Sequence, residues 1–183
     1  MDNFFISAGS YLISTFFGIY IIIVLLRFLL QVVRADFYNP LSQFIVKATS
    51  PILIPMRRLI PGLFGLDVSS LILAYILQYI ENILLFAVRG IPVSPIFLLW
   101  HNIGSLLILI LYIYFFAILI QVIISWVNPG TYNPATALIH HITEPVMRPA
   151  RRILPPFSGL DLSPILVFIV LNLLIMLVPS IFG

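Results

Sequence analysis

Four segments of this chain are apolar over lengths that suit a lipid bilayer. They run from Tyr11 to Val33, from Val68 to Val88, from about Phe97 to Val127 and from about Leu162 to Val178, with Pro179 expected to close the last one. A membrane-spanning helix needs about 20 mainly apolar residues, so each segment is predicted to cross the bilayer once. Hydrophobic residues make up 62% of the chain and charged residues only 8%, which excludes a water-soluble monomer. An all-α membrane protein is predicted.

The positive charges predict the orientation of the four spans. The first and third connections hold Arg34, Lys47, Arg57 and Arg58, and Arg148, Arg151 and Arg152, whereas the second connection holds only Arg89. Lys and Arg concentrate in cytoplasmic loops, so loops 34–67 and 128–161 are predicted to be cytoplasmic and both termini periplasmic. The net charge of +3 then faces anionic lipid head groups, and no nucleic-acid partner is predicted.

The two long loops carry the same motif. Tyr38-Asn39-Pro40 recurs as Tyr132-Asn133-Pro134, and the pattern T-x-P-x3-P-x-R-R-x2-P begins at Thr49 and again at Thr143, always 94 residues apart. Gln31 and Gln121 are 90 apart, so four extra residues are expected near 128–131. Each copy crosses the membrane twice, so the copies share one orientation. Residues 1–90 and 91–183 are therefore predicted to form parallel repeats, related by a pseudo-twofold axis along the membrane normal.

Each loop is predicted to contain a short amphipathic helix followed by an irregular stretch. Apolar residues at helical spacing begin after Pro40 and Pro134: Leu41, Phe44, Ile45 and Ala48, and Ala135, Leu138, Ile139 and Ile142. Such a helix lies in the cytoplasmic interface or packs against the bundle. The later prolines lack a backbone donor and are expected to end the helix and enforce a bent path: Pro51, Pro55 and Pro61, and Pro145, Pro149, Pro155 and Pro156.

Charged residues of the loops are the first candidate sites. Two arginine pairs, Arg57 with Arg58 and Arg151 with Arg152, lie on the Pro-rich stretches and are predicted to contact lipid phosphates or a partner protein. Asp67 and Asp161 immediately precede the second span of each copy. With Ser69 and Ser163 they are placed to cap helix amides, and an ion pair to the arginines of the same copy would anchor each loop. Catalytic carboxylates are the alternative.

Polar residues within the spans are the second candidate site. Gln78, Glu81 and Asn82 form one stripe on the second span, and Asn172 is the counterpart of Gln78. Such residues are costly in hydrocarbon, so we expect them to bond helices together, including an amide pair between Gln78 and Asn172. Glu81, whose counterpart is Ile175, is expected to be neutral and bonded to Asn82 or a tyrosine. A proton or cation pathway through Glu81 is the alternative.

The motif from Thr49 to Asp67, repeated from Thr143 to Asp161, resembles the YggT family, also called YlmG-like, of small multi-pass membrane proteins. The resemblance covers most of the chain and matches the two-copy proteobacterial form, which implies the bacterial inner membrane. It implies links to osmotic or ionic stress tolerance and to division and envelope organisation; plastid relatives are linked to thylakoid protein assembly and nucleoid distribution. The family offers no agreed catalytic residues to carry over.

The sequence shows no nucleophile–base set, Gly-rich phosphate loop or metal-ligand spacing. His140 and His141 are adjacent, so they diverge on a helix and do not hold one metal. We therefore expect no catalytic, cofactor-binding or metal-binding residues. The prediction is a non-enzymatic scaffold or assembly factor, with the lipid bilayer, unknown membrane proteins and a second copy of the chain as partners. The alternatives are an ion or small-solute channel or transporter component that uses the polar stripe, and an intramembrane enzyme.

Overall fold

The computed structural model describes residues 2–60, 62, 65–128, 130, 133–155 and 161–183. Within these residues the chain forms six α-helices: α1 (Asp2–Val32), α2 (Pro40–Leu59), α3 (Val68–Arg89), α4 (Pro95–Val127), α5 (Pro134–Ile153) and α6 (Ser163–Phe182). Helices α1, α3, α4 and α6 are long and apolar enough to cross a membrane. The predicted all-α fold with four spans and two loop helices is confirmed.

The spans are longer than predicted at two of their ends. Helix α1 begins at Asp2 instead of Tyr11, and α6 continues through Pro179 to Phe182, so the prediction that Pro179 closes the fourth span is wrong. A proline removes the hydrogen bond to the carbonyl four residues earlier. This loss falls in the last turn of α6, where the Gly183 N–H donates to the Pro179 carbonyl over 2.9 Å.

The loop helices α2 and α5 also run through their first two prolines, so the prediction that these prolines end the helices is wrong. Irregular backbone begins only after Leu59 and Ile153. Pro51 and Pro55 lie four residues apart on the exposed side of α2, and the same holds for Pro145 and Pro149 of α5. Their rings therefore lie on the side of each helix that faces away from the bundle. Residues 61 and 156 lie outside the described residues.

Each loop helix begins at an Asn-Pro pair. The Asn39 side chain accepts a hydrogen bond from the Leu41 N–H over 2.9 Å, and Asn133 accepts from the N–H groups of Ala135 and Thr136, each over 2.9 Å. Proline follows at the first helical position, where its missing N–H costs nothing. The repeated Tyr-Asn-Pro motif is thus a helix start signal.

The two repeats are related by an offset of 94 throughout the loop end of the spans, so the predicted four-residue insertion is wrong. The Arg27 guanidinium bonds to Thr49, and Gln121 bonds to Thr143, the counterpart of Thr49. Gln121 is therefore the counterpart of Arg27 and not of Gln31. A shift of four residues is about one helical turn and leaves the same side of the helix towards the bundle. The apolar pattern therefore does not distinguish an offset of 90 residues from one of 94. Residues 129 and 131, within the predicted insertion, lie outside the described residues.

The helices pack in the same way within each repeat. Helix α1 packs against α3 with α2 beneath them, and α4 packs against α6 with α5 beneath them. The repeats join where α3 meets α4 and where α2 meets α5, so both loop helices lie at the same end of the bundle. At the opposite end, Trp100 Nε1 donates to the Ile181 carbonyl over 3.2 Å. This arrangement is the one expected of parallel repeats.

The loop helices divide their apolar side chains between the bundle and the surroundings. Ile45 of α2 lies in a buried cluster with Leu138 and Ile142 of α5, whereas Leu41 and Phe44 remain 43% and 61% exposed. The two predicted alternatives, a helix in the membrane interface and a helix packed against the bundle, therefore each apply to part of the amphipathic helix. One edge packs against the bundle, and the other is free to contact lipid.

Candidate functional site

An arginine–aspartate pair fixes the loop of the first repeat beneath its spans. Arg57 Nε donates to Asp67 Oδ1 over 3.3 Å and Arg57 Nη2 donates to Asp67 Oδ2, and the Ser70 hydroxyl donates to the same carboxylate over 2.5 Å. Burial alone would raise the pKa of Asp67, but the hydrogen bonds and the nearby guanidinium charge hold this pKa below its ordinary value. The pair connects the end of α2 to the start of α3.

The second repeat contains the equivalent pair with one additional acid. Arg151 Nε donates to Asp161 Oδ2 over 3.1 Å, and Arg151 Nη1 donates to Glu144 Oε2 over 2.7 Å. The Ser163 N–H and hydroxyl donate to Asp161 over 2.9 and 2.5 Å. Burial opposes the effect, but these bonds hold the pKa of Asp161 below its ordinary value. Arg151 thus serves two carboxylates, where Arg57 serves one.

The two aspartates differ as helix caps. Asp161 accepts from the N–H of Ser163, the first residue of α6, as the capping prediction requires. The Asp67 side chain makes no capping bond to α3, and its carboxylate accepts instead from the Arg57 guanidinium and the Ser70 hydroxyl. The capping prediction is therefore wrong for Asp67, whereas the ion pair expected in each copy is present.

The two arginines of each pair have different surroundings. Arg57 and Arg151 bond to the aspartates, while Arg58 and Arg152 are exposed and have no bonded partner in the part of the chain that the structure describes. Arg148 on α5 is exposed as well. Because α2 and α5 touch, these three arginines belong to one end of the bundle. Arg58 and Arg152 are therefore available for the predicted contact with lipid head groups or a partner protein.

The polar stripe on α3 makes one hydrogen bond to another helix and one within α3, and neither is the bond that was predicted. Asn82 Nδ2 donates to Asn102 Oδ1 on α4 over 2.6 Å, and Gln78 Nε2 donates to Glu81 Oε2 over 3.3 Å. Glu81 is 7% exposed, and its hydrogen-bond partner among the described residues is Gln78 instead of Asn82 or a tyrosine. The stripe therefore ties α3 to α4 through one amide pair.

The amide pair expected between Gln78 and Asn172 is absent from the described residues. Asn172 is exposed and donates to the Phe168 carbonyl of its own helix over 2.8 Å, and no contact joins α3 to α6 there. The prediction assumed that these helices meet at the pseudo-twofold axis, but the repeats join through α3 and α4. The amide that the second repeat contributes is Asn102 of α4, and it bonds to Asn82 instead of Gln78.

Sequence reasoning missed the role of Arg27. This residue of α1 is 6% exposed, and its Nη1 donates to the Val46 carbonyl, Thr49 Oγ1 and Ser50 Oγ on α2, over 3.1, 2.5 and 3.2 Å. It is a polar anchor between a span and the loop helix. The recurrence of Thr49 as Thr143 was the available signal, since a polar residue present in both copies of the loop motif indicates a contact that both copies make.

A family model described as CCB3/YggT matches this chain twice, over residues 6–88 and over residues 100–182. The two matched stretches begin 94 residues apart, in agreement with the offset that the helix contacts show. No solved structure matches the chain significantly.

Relatives of the chain come from several organisms. An uncharacterized protein of Pseudomonas aeruginosa is 50% identical over 175 residues, which cover 94% of this chain and 88% of the relative. The uncharacterized protein YggT of Escherichia coli (strain K12) is 39% identical over 166 residues, which cover 88% and 84%. The uncharacterized protein ycf19 of Guillardia theta is 38% identical over 72 residues, 39% of this chain and 79% of that protein. With both repeats matched and relatives that extend along most of its length, this chain belongs to the CCB3/YggT family of membrane proteins.

Proposed function

We propose that this protein is a non-enzymatic scaffold or assembly factor of the bacterial inner membrane, whose paired loop helices bind partner proteins at the cytoplasmic face. Both termini are then periplasmic. The proposed consequence for the cell is support of envelope organisation and of osmotic or ionic stress tolerance.

The observation that carries this proposal is the direct joining of the two loop helices. Asn39 Nδ2 at the start of α2 donates to the Pro134 carbonyl at the start of α5 over 2.7 Å, and Ile45 packs with Leu138 and Ile142. The ion pairs to Asp67 and Asp161 hold the other end of each loop helix. A surface fixed at both ends loses little entropy on binding, which suits a docking platform.

The charge of this surface suits an acidic partner. Three arginines of this surface are exposed and make no hydrogen bond or ion pair with the described residues: Arg58, Arg148 and Arg152. Beside them, Leu59 and Ile153 are 84% and 71% exposed. Arginine is enriched in protein interfaces, and the exposed apolar side chains beside it offer surface for a partner to bury.

Site-specific photo-crosslinking in cells tests the proposal. A photoreactive residue at Leu59 or at Ile153, which are equivalent positions, is expected to capture the same protein. The control is Tyr11, 69% exposed on the first span, where we expect lipid adducts alone. The double variant Arg58→Glu with Arg152→Glu is expected to abolish the protein adducts and to leave a deletion strain sensitive to high osmolarity, which the wild-type chain rescues. Adducts that persist in this variant would contradict the proposal.

A channel or transporter component that uses the polar stripe is the second candidate. The observation in its favour is Glu81, a carboxyl that is 7% exposed within a span and is next to Gln78. Ion flux in liposomes separates the two functions. Flux that the wild-type chain supports and Glu81→Gln abolishes would favour the channel, whereas flux equal to that of empty liposomes would favour the scaffold.

A further inference from the structure

A cavity of about 730 Å³ lies at the loop end of the first repeat. The last turns of α1, the polar side of α2 and the connection to α3 enclose it. Three cationic side chains line it, Arg27, Lys47 and Arg57, with Asp67 as the one acidic residue among the lining residues described. The cavity therefore carries an excess of two positive charges.

Arg27 is the buried cation of the three that has no ion-pair partner among the described residues. Arg57 pairs with Asp67, so these two charges cancel each other. Arg27 is 6% exposed, and its hydrogen bonds to described residues go to neutral oxygens from Nη1 alone. Its Nε and Nη2 make no bond to the described residues. A buried cation without a counter-ion is costly, and an anion in the cavity would remove that cost.

The described residues that line the equivalent place in the second repeat carry no positive excess. Its cavity is smaller, about 290 Å³, and is lined by Gln121 where the first has Arg27, and by Arg151 and Asp161. Glu144, which replaces Ser50, bonds to Arg151, so two carboxylates surround one guanidinium. The two repeats share their fold, and the positive excess belongs to the first repeat alone.

We propose that the first-repeat cavity binds a phosphate group, presented by an anionic phospholipid head group. The free edge of Arg27 suits a phosphate oxygen pair, and Lys47 adds a second charge. Gln31 and Gln43 on the cavity wall each donate one amide N–H to a backbone carbonyl, which leaves the second N–H of each amide for a phosphate. The lipid source is favoured because Phe37, Val46 and Leu66 line the same cavity at the level where the spans end. This site goes beyond the proposed function, since it requires no protein partner.

Native mass spectrometry of the full-length chain in detergent tests the site, with phosphatidylglycerol as the lipid probe and phosphatidylcholine as the zwitterionic comparison. The wild type is expected to retain one phosphatidylglycerol molecule. Arg27→Gln and Lys47→Gln are each expected to weaken retention about tenfold. Arg27→Gln keeps the fold because the second repeat uses glutamine at this position, and Lys47 is exposed.

The matched control is Arg34→Gln, which removes the same charge from an exposed position at the same end of the bundle, outside the cavity, and is expected to leave retention unchanged. Ser50→Glu, which introduces the acidic residue that the second repeat has at this position, is expected to abolish retention. Equal losses in Arg34→Gln and Lys47→Gln would show general surface attraction and overturn the proposal.

A second experiment, with a soluble phosphate compound as the probe, identifies the source of the phosphate. Titration calorimetry with glycerol 3-phosphate is expected to show no binding, because this probe lacks the acyl region that the apolar wall contacts. Binding of glycerol 3-phosphate that depends on Arg27 and Lys47, without retention of phosphatidylglycerol, would keep the phosphate site and overturn its assignment to lipid. Binding of neither probe would overturn the proposal as a whole.

Discussion

Arg27 and Gln121 occupy equivalent positions in the two repeats, and each bonds to the threonine that lies 22 residues further along the chain. Arg27 Nη1 donates to Thr49 Oγ1 over 2.5 Å, whereas Thr143 Oγ1 donates to Gln121 Oε1. One copy thus ties its first span to its loop helix through a cation, and the other through a neutral amide. The duplication has kept the threonine and changed its partner, and the charge of the neighbouring cavity has changed with it.

The first prediction concerns these two threonines. Thr49→Val removes an acceptor from a buried guanidinium, and we expect it to lower the free energy of unfolding by about 1.5–3 kcal/mol. Thr143→Val breaks a hydrogen bond between neutral groups, and we expect it to lower the free energy of unfolding by about 1 kcal/mol. Both hydroxyls are fully buried, so the pair forms a matched comparison. Unfolding in mixed detergent micelles measures both losses, and equal losses would contradict a special role for Arg27.

The second prediction concerns pH. The pKa of Asp67 in the folded protein lies below its ordinary value of 3.8, so the ion pair with Arg57 stabilises the fold fully above that value. The stabilisation is lost as the pH falls below 3.8 and through the pKa of the folded state. Asp67→Asn removes it at every pH. We expect the variant to be less stable than the wild type at pH 7 and the difference to shrink towards pH 3, as unfolding at a series of pH values would show. A difference that does not depend on pH would contradict the ion pair.

The third prediction concerns the contact between α4 and α6. A Cβ atom at Gly104 would lie 2.5 Å from Phe182 Cβ, whereas a Cβ at Gly18 would meet nothing within 4 Å. Close approach at small residues is a common way for membrane helices to associate. We expect Gly104→Val to lower the unfolding temperature markedly and Gly18→Val to leave it nearly unchanged. Comparable effects of the two substitutions in a thermal unfolding assay would argue against this packing.

The fourth prediction concerns the amide pair within the membrane. Asn82→Leu breaks the bond to Asn102 and is expected to cost about 0.6 kcal/mol, up to about 1.7. Asn172→Leu removes a bond within α6 only and faces outward, so no loss is expected. Unfolding of both variants measures the difference. A greater loss of stability from Asn172→Leu than from Asn82→Leu would support the amide pair between Gln78 and Asn172 that the sequence predicts.

Much of the fold was predictable because the signals were local or repeated. Apolar length predicts the spans, and the Asn39-Pro40 and Asn133-Pro134 pairs predict where α2 and α5 begin. The ends of these helices were not predictable from proline alone. The cost of a proline depends on which side of the helix it occupies, and Pro51 and Pro55 are on the exposed side.

The candidate site was predictable only in part. Arg57 and Asp67 are close in sequence and recur as Arg151 and Asp161, so their pairing could be inferred. The choice of Asn102 as the partner of Asn82 depends on which helices meet between the repeats, which a repeated motif does not specify. The bond from Arg27 was hidden by the misassigned offset, because Gln121 was matched with the wrong residue of the first span.

Accessibility labelling tests the parallel-repeat topology most directly. The chain has no cysteine, so single cysteines at Arg58, Arg152 and Ile91 give signals without background, and all three positions are exposed. With a membrane-impermeant maleimide on spheroplasts, Arg58→Cys and Arg152→Cys are both expected to stay unlabelled until the membrane is permeabilised, while Ile91→Cys is labelled at once. Labelling of one loop position and protection of the other in intact spheroplasts would contradict parallel repeats.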